Sequence, residues 1–403
     1  MLICWLSFTI VLTLTQFTEA EPRLIFAQVL FRHGARAPSA ELTNPAYKNI
    51  FPRGLGELTD RGFENSYGLG KLLRKRYVET GFLDPNLKPS QMYWRSVNKN
   101  RCLSTASTVG AAMFEDPPHH LHVPVVTETQ SENLLNYNMN NCPGELELIR
   151  ESCPNFDGNF HPWPFYEEFL AKCLNYSHVV FDTYPFHTME AYMNEYKNGL
   201  PLPKLIDEHA AEIVSLYANV AHFSLGTGHY HNPRKMKLKF GNLVDKMLRD
   251  MQKAGSVYLE QKKNQTVENS ESRKFVAYSS QDWIVTGVLD SLGILNEAIG
   301  LNKTPEYNAM IIMELWDRDD ELYVKVYYKN AEISEELIDL SGAVRGCPRD
   351  KLECPLNTFL SCCEVYRNSG DYSKNCDSAN PNSVRYGRST REKEKPFMMA
   401  GPE

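Results

Sequence analysis

Leu24-Ile25-Phe26-Ala27-Gln28-Val29-Leu30-Phe31-Arg32-His33-Gly34-Ala35-Arg36-Ala37-Pro38 is the stretch that decides how this chain folds. Leu24 to Phe31 is short, strongly apolar and rich in strand formers, as a parallel strand buried on both faces must be. At Arg32 packing gives way abruptly to cations and an imidazole. Two further segments repeat the pattern. Gln91–Trp94 reads as a strand ending at Arg95-Ser96, with a helix from about Asn98 to Met113. Phe275–Ser279 reads as a strand ending at Ser280-Gln281-Asp282, with a helix through Val285, Leu289 and Leu292 that Gly293 stops. Between the first two strands, Thr59 caps a helix reaching about Tyr77, with Phe63, Leu69, Leu72, Leu73 and Tyr77 on its apolar side. Three strand–loop–helix units predict an α/β fold. In open α/β sheets ligands bind beyond the carboxyl ends of the strands, so Arg32, His33, Arg36, Arg95, Gln281 and Asp282 are expected to meet in one crevice.

The remaining chain is organised around this core. Residues 128–233 lack convincing strands, are rich in Asn, Tyr and Pro, and hold a helix near Leu205–Val220. They read as a mostly helical cap inserted between two parts of the α/β domain, 21–127 and 234–345. Leu238–Met251 is amphipathic, with Phe240, Leu243, Val244, Met247, Leu248 and Met251 at helical spacing, and Lys262–Ser272 reads as a polar loop. Met310–Trp316 and Leu322–Tyr328 form a hairpin about Arg318-Asp319-Asp320. Residues 346–379 are a cysteine-rich C-terminal segment, and 380–403 read as a disordered tail.

With 403 residues, 42% of them hydrophobic, the chain can bury a substantial core, which excludes a disordered protein or a disulfide mini-protein. A formal charge of −7 argues against a nucleic-acid binder. Residues 1–20 read as a signal peptide: Leu2 to Thr15 is almost wholly apolar, and Thr18 and Ala20 put small residues at −3 and −1 of a cleavage site. No Lys or Arg precedes that run, so a buried N-terminal element or an uncleaved anchor is the alternative. No later segment approaches the length of a membrane span. Asn175, Asn264 and Asn302 head glycosylation sequons. Of the ten cysteines, Cys4 leaves with the signal, and the odd remainder implies at least one unpaired thiol or an intermolecular bond. These features predict a secreted glycoprotein, with a lysosome-like compartment as the second destination.

Three arginines around one histidine make a particular kind of site. Guanidinium forks match phosphate oxygens two at a time and stay charged. A neutral imidazole among them can attack phosphorus and carry the phosphoryl group. A carboxylic acid opposite can protonate the leaving oxygen and then activate water. Neither metal nor cofactor is expected, because the arginines neutralise the developing charge. His119-His120-x-His122 could suggest a metal site, but it follows Pro117-Pro118 and reads as a surface loop; His229-x-His231 reads as solvated. Asp317-Arg318-Asp319-Asp320 lacks the loop spacing and distal Glu of a calcium site.

Arg32-His33-Gly34-Ala35-Arg36-Ala37-Pro38 resembles the R-H-G-x-R-x-P signature of the histidine acid phosphatases, the larger branch of the phosphoglycerate-mutase-like superfamily. Gly56-Glu57-Leu58-Thr59 with Gly62 resembles that family's G-x-L-T-x-x-G helix start. Arg95-Ser96 with Arg101 downstream resembles its R-S-x-x-x-x-R segment, and Gln281-Asp282 stands where the family has His-Asp. The resemblance covers about Leu24 to Cys376 and extends to the venom, lysosomal and prostatic enzymes. It implies a three-layer α/β/α domain with a cap, hydrolysing phosphate monoesters of small molecules. It assigns His33 as nucleophile, Asp282 as proton donor, and Arg32, Arg36 and Arg95 as phosphate ligands, with Gln281 replacing a donor that could be charged. Gln donates through its amide but gains no charge in acid, which predicts a slower enzyme. The rival reading is a lapsed member that binds an anion or a protein surface; mutase activity is a third, disfavoured by the signal and cap. The resemblance also pairs Cys142 with Cys376 and Cys347 with Cys354, and family members often form homodimers. Cys153 with Cys173 is suggested by proximity, leaving Cys102, Cys362 and Cys363, one of them free.

Overall fold

The computed structural model describes residues 21–117, 121–128, 134–135, 143–153, 173–174, 186–265 and 273–368. Its sheet is built from β1 (Arg23–Arg32), β2 (Met92–Ser96), β3 (Val125–Val126), β4 (Phe275–Ser280), β5 (Met310–Arg318), β6 (Glu321–Lys329), β7 (Ile338–Asp339) and β8 (Cys354–Pro355). The spatial order is β3-β2-β4-β1-β5-β6-β7, with β8 against β6. β1, β2 and β4 run parallel and carry the three expected strand–loop–helix units; β5 joins antiparallel to β1. The β5–β6 hairpin turns at Asp319 and Asp320, both at positive φ (52° and 69°), as a tight two-residue turn requires.

The helices are α1 (Asp60–Leu73), α2 (Asn100–Met113), α3 (Pro143–Ser152), α4 (Phe186–Lys197), α5 (Lys204–Glu208), α6 (Ala210–Leu225), α7 (Pro233–Lys263) and α8 (Asp282–Leu292), with shorter ones beyond. Alternation along β1 sorts them into layers. Ala27, Val29 and Phe31 pack with Leu69, Leu72, Leu73, Val109 and Met113 of α1 and α2. Phe26 and Leu30 pack with Phe240, Leu243, Met247 and Val285 of α7 and α8. Both faces of β1 are therefore buried, which is why it reads as one continuous apolar run. The polar exception, Gln28, donates Nε2 to Met247 O at 2.9 Å, while its buried Oε1 has no hydrogen-bond partner among the described residues.

Three elements differ from expectation; the helix expected near Leu205–Val220 is two, α5 and α6, parted at His209. α7 runs for 31 residues, through what was expected to be the start of a polar loop, because Gly255 and Tyr258 continue the buried stripe past Met251. The helix expected to reach Tyr77 ends at Leu73 and continues as a wider turn over Arg74–Val78. That turn aims Arg76 at Glu314 in the middle of β5, with Nε and Nη2 at 2.6 and 2.9 Å from the two carboxylate oxygens. Glu314 is fully buried, and Tyr77 OH and Trp316 Nε1 also donate to it. Within 128–233 the described residues form α3 to α6 and no strand. No helix among the described residues is long and apolar enough to cross a membrane.

Candidate active site

Beyond Arg32 the chain leaves the sheet without losing its hydrogen bonds. Arg32 N donates to Ala309 O and His33 N to Ser280 O, both at 2.9 Å, so the loop starts anchored to both neighbouring strands. It then docks on the start of α1. Thr59 N donates to Ala35 O at 3.0 Å and Ala37 N to Glu57 O at 2.9 Å, while Thr59 Oγ1 caps the helix by accepting from Gly62 N. A Cβ on Gly62 would lie 2.0 Å from Ala35 O, and one on Gly34 would lie 2.5 Å from Gly62 O. The loop and the helix can approach this closely only with glycine at both positions.

His33 is buried, with Nδ1 2.9 Å from Gly34 O. A carbonyl can only accept, so Nδ1 carries the hydrogen and the lone pair is on Nε2. Burial, then Arg101, Arg32 and Arg36, hold the imidazole well below its ordinary pKa, against the opposing pull of the Gly34 hydrogen bond. Asp282 opens α8. Its Oδ1 accepts from Trp283 N at 2.9 Å and its Oδ2 meets Arg32 Nη2 at 2.8 Å. Burial pushes this carboxyl up, but Arg32, the Trp283 N–H, Arg36 and Lys197 together hold it below its ordinary value.

The arginines arrive from three elements. Arg32, the last residue of β1, also donates Nη1 to Pro305 O at 2.6 Å, and its guanidinium lies 4.3 Å over the Tyr307 ring. Arg36 meets Glu190 of α4 at 2.8 Å. Burial disfavours the Arg36 charge, but Tyr307 and Glu190 outweigh it and raise the pKa. Arg101, in the first turn of α2, donates Nη2 to Gln281 Oε1 at 3.0 Å and has no ion-pair partner among the described residues. Burial and the nearby Arg36 lower its hold on its proton. The Nε groups of Arg32, Arg36 and Arg101, like that of Arg95, are buried with no hydrogen-bond partner among the described residues. Buried donors left unmade are costly, so three of them about one imidazole suit an anion with several oxygens.

Arg32, His33, Arg36, Gln281 and Asp282 thus come together as expected, and Arg95 does not join them. Its Nη2 pairs with Glu128, and it acts electrostatically on Tyr278, a residue of the α7-facing core. Arg95 lies within β2, where side chains stand off the sheet faces, whereas Arg101 follows the strand and can turn across its end. Arg101, Tyr307, Glu190 and Lys197 are the groups that the sequence reading did not place here. Only Arg101 carried a signal, as the second arginine of the R-S-x-x-x-x-R segment. Elsewhere, among the described residues Cys347–Cys354, Cys153–Cys173 and Cys362–Cys363 are bonded and Cys102 is a free, buried thiol. Cys142, Cys376 and Asn175 lie outside the described residues, while Asn264 and Asn302 are exposed. His231, expected to be solvated, is held between Asp290 Oδ2 at 3.0 Å and Tyr366 OH at 2.8 Å.

Putative acid phosphatase 1 of Caenorhabditis elegans is 30% identical over 384 residues, covering 94% of this chain and 86% of that protein. Prostatic acid phosphatase of Mus musculus is 28% identical, covering 88% and 92%. Among solved structures, the phytase from Citrobacter braakii superposes with a TM-score of 0.56 at 16% identity, covering 89% of this chain and all of that one, a likeness of fold. The profile described as histidine phosphatase superfamily (branch 2) matches residues 23–329, from the first residue of β1 to the last of β6, and places the chain in that family.

Proposed function

We propose that this protein is a secreted acid phosphatase that hydrolyses phosphate monoesters of small molecules through a phosphohistidine intermediate on His33. The observation that carries the reading is His33 Nε2, freed by the Nδ1–Gly34 bond, among three guanidinium groups whose buried Nε–H donors lack partners among the described residues. In the first step Nε2 attacks phosphorus and the bond to the leaving oxygen breaks. Protonated Asp282 supplies that oxygen with its hydrogen. In the second, the Asp282 carboxylate takes a proton from water as the water oxygen attacks the phosphohistidine, which releases phosphate and restores both groups. Arg32, Arg36 and Arg101 bind the phosphoryl oxygens, and Arg101 rather than Arg95 is the third ligand.

An acid optimum follows from the two titrations. The depressed pKa of His33 keeps it a nucleophile in acid. Asp282 must be protonated to act first, and a bound phosphate competes for Arg32 and adds negative charge beside it, which raises its proton affinity. Gln281 keeps part of the role of the family histidine. Its Oε1 is engaged by Arg101, so its amide N–H groups remain to donate toward the phosphate. Secretion and glycosylation rest on the apolar leader and on the exposure of Asn264 and Asn302.

The test is hydrolysis of p-nitrophenyl phosphate at pH 5 with EDTA present, beside His33→Ala. Turnover lost in the variant supports the reading. Indistinguishable wild type and variant would instead favour a lapsed, anion-binding member.

A further inference from the structure

Tyr307 is almost fully buried, yet it belongs to none of the apolar clusters of the fold. Two cations and an imidazole stand against its ring. The Arg32 guanidinium lies 4.3 Å over its ring, the His33 ring is 5.8 Å away, and Lys197 Nζ stands 5.3 Å from its centroid. Its hydroxyl donates to Asn194 Oδ1. The residues flanking it also grip the nucleophile loop: Pro305 O accepts from Arg32 Nη1 and Asn308 N donates to His33 O. Asn194 and Lys197 share a stripe of α4 with Glu190, which holds Arg36.

We propose that Tyr307 is a positioning residue for phosphoryl transfer: its ring face fixes the plane of the Arg32 guanidinium between the phosphate and Asp282, and its hydroxyl ties that plane to the cap through Asn194. A cation stacked on an aromatic face in a desolvated site is well held, and Arg32 meets both the proton donor and the anion site. The proposal rests on the phosphatase reading above. It extends that reading by naming what orients the charge that governs Asp282.

The consequence is a change in pH dependence. The groups acting on Asp282 are Arg32 from β1, Arg36 from the following loop, Arg101 and Cys102 from α2, Lys197 from α4 and Glu306 from the loop before β5. Of these Arg32 is the strongest in holding the carboxyl ionised. When Arg32 swings free, the Asp282 pKa relaxes upward, the acid form persists to higher pH, and the alkaline limb of the rate profile moves up.

The experiment compares kcat and kcat/KM against pH for the whole protein and for Tyr307→Phe, Tyr307→Leu and Tyr307→Met, with p-nitrophenyl phosphate. Tyr307→Phe keeps the stack but loses the tie to Asn194, and should move the alkaline limb less than Tyr307→Leu does. Tyr307→Leu should lose about 10- to 30-fold in kcat/KM, the scale of a desolvated cation–π contact, with the limb shifted to higher pH. Tyr307→Met serves if the leucine variant does not fold, and should shift the limb likewise. A uniform loss with an unmoved limb in the leucine or methionine variant would overturn the proposal, as would an equal shift in Tyr307→Phe. Absence of turnover in the wild type would instead sink the phosphatase reading itself.

Discussion

Replacing Arg101 and Arg95 separately divides the two arginines that the sequence motif presents as a pair. Arg101 is half-buried at the start of α2, has no carboxylate partner among the described residues, and acts on His33 more strongly than any other charge. Arg101→Ala removes one donor from the transferring phosphoryl group, which corresponds to roughly 10²–10³ in kcat/KM. It also removes the foremost cation holding the imidazole neutral. The His33 pKa is depressed in the native protein, so losing that cation lets it rise, and the protonated, inactive histidine appears at higher pH. The acid limb should therefore move up. Arg95→Ala breaks the pair with Glu128, whose side chain is 34% exposed, and removes a cation from beside Tyr278. It should leave kcat/KM within about a factor of three, as expected of a side chain that does not meet the reacting groups. Initial rates with p-nitrophenyl phosphate across pH 3–8, with inhibition by inorganic phosphate, separate the two. Equal losses in both variants, or an unmoved acid limb in Arg101→Ala, would refute the assignment.

Asp282→Asn should slow alkyl phosphates far more than p-nitrophenyl phosphate, because a phenolate departs with little help from a proton; equal losses on both would remove Asp282 from the role of acid. Gln281→His should raise the rate below about pH 6, where the new imidazole is charged, and a fall in rate would mean that the Arg101–Gln281 bond matters more than the added charge. Glu314→Ala leaves Arg76, Tyr77 OH and Trp316 Nε1 without their common acceptor. It should cost about 3–5 kcal/mol of stability, read as a lower urea midpoint; an unchanged midpoint would contradict the account of that buried carboxylate.

What could be read in the sequence was what is encoded locally. The apolar run of β1, the Thr59 cap, the Gly293 stop and the glycines at 34 and 62 each follow from contacts made within their own segment or its immediate partner. The cradle of His33, Arg32, Arg36 and Asp282 was legible for the same reason, since each residue sits at or just beyond a strand end. Choosing between Arg95 and Arg101 was a different matter. Both stand near the end of β2, and only the turn into α2 decides which side chain crosses to His33. Tyr307, Glu190 and Lys197 reach the site from segments more than 150 residues from His33 in sequence, with no periodicity to betray them. Glu314 is marked in the sequence as a lone carboxylate inside the apolar run from Ala309 to Trp316. α7 outran its expected end because polar residues on its outer face masked the continuing buried stripe at Gly255 and Tyr258.

The most direct test of the central claim is to quench the enzyme in alkali during steady-state turnover of a labelled phosphate ester and map the label by peptide. Phosphohistidine survives alkali and is lost in acid. The account predicts an adduct on the peptide containing His33, absent in His33→Ala. Turnover with no label on that peptide, or with label elsewhere, would contradict it.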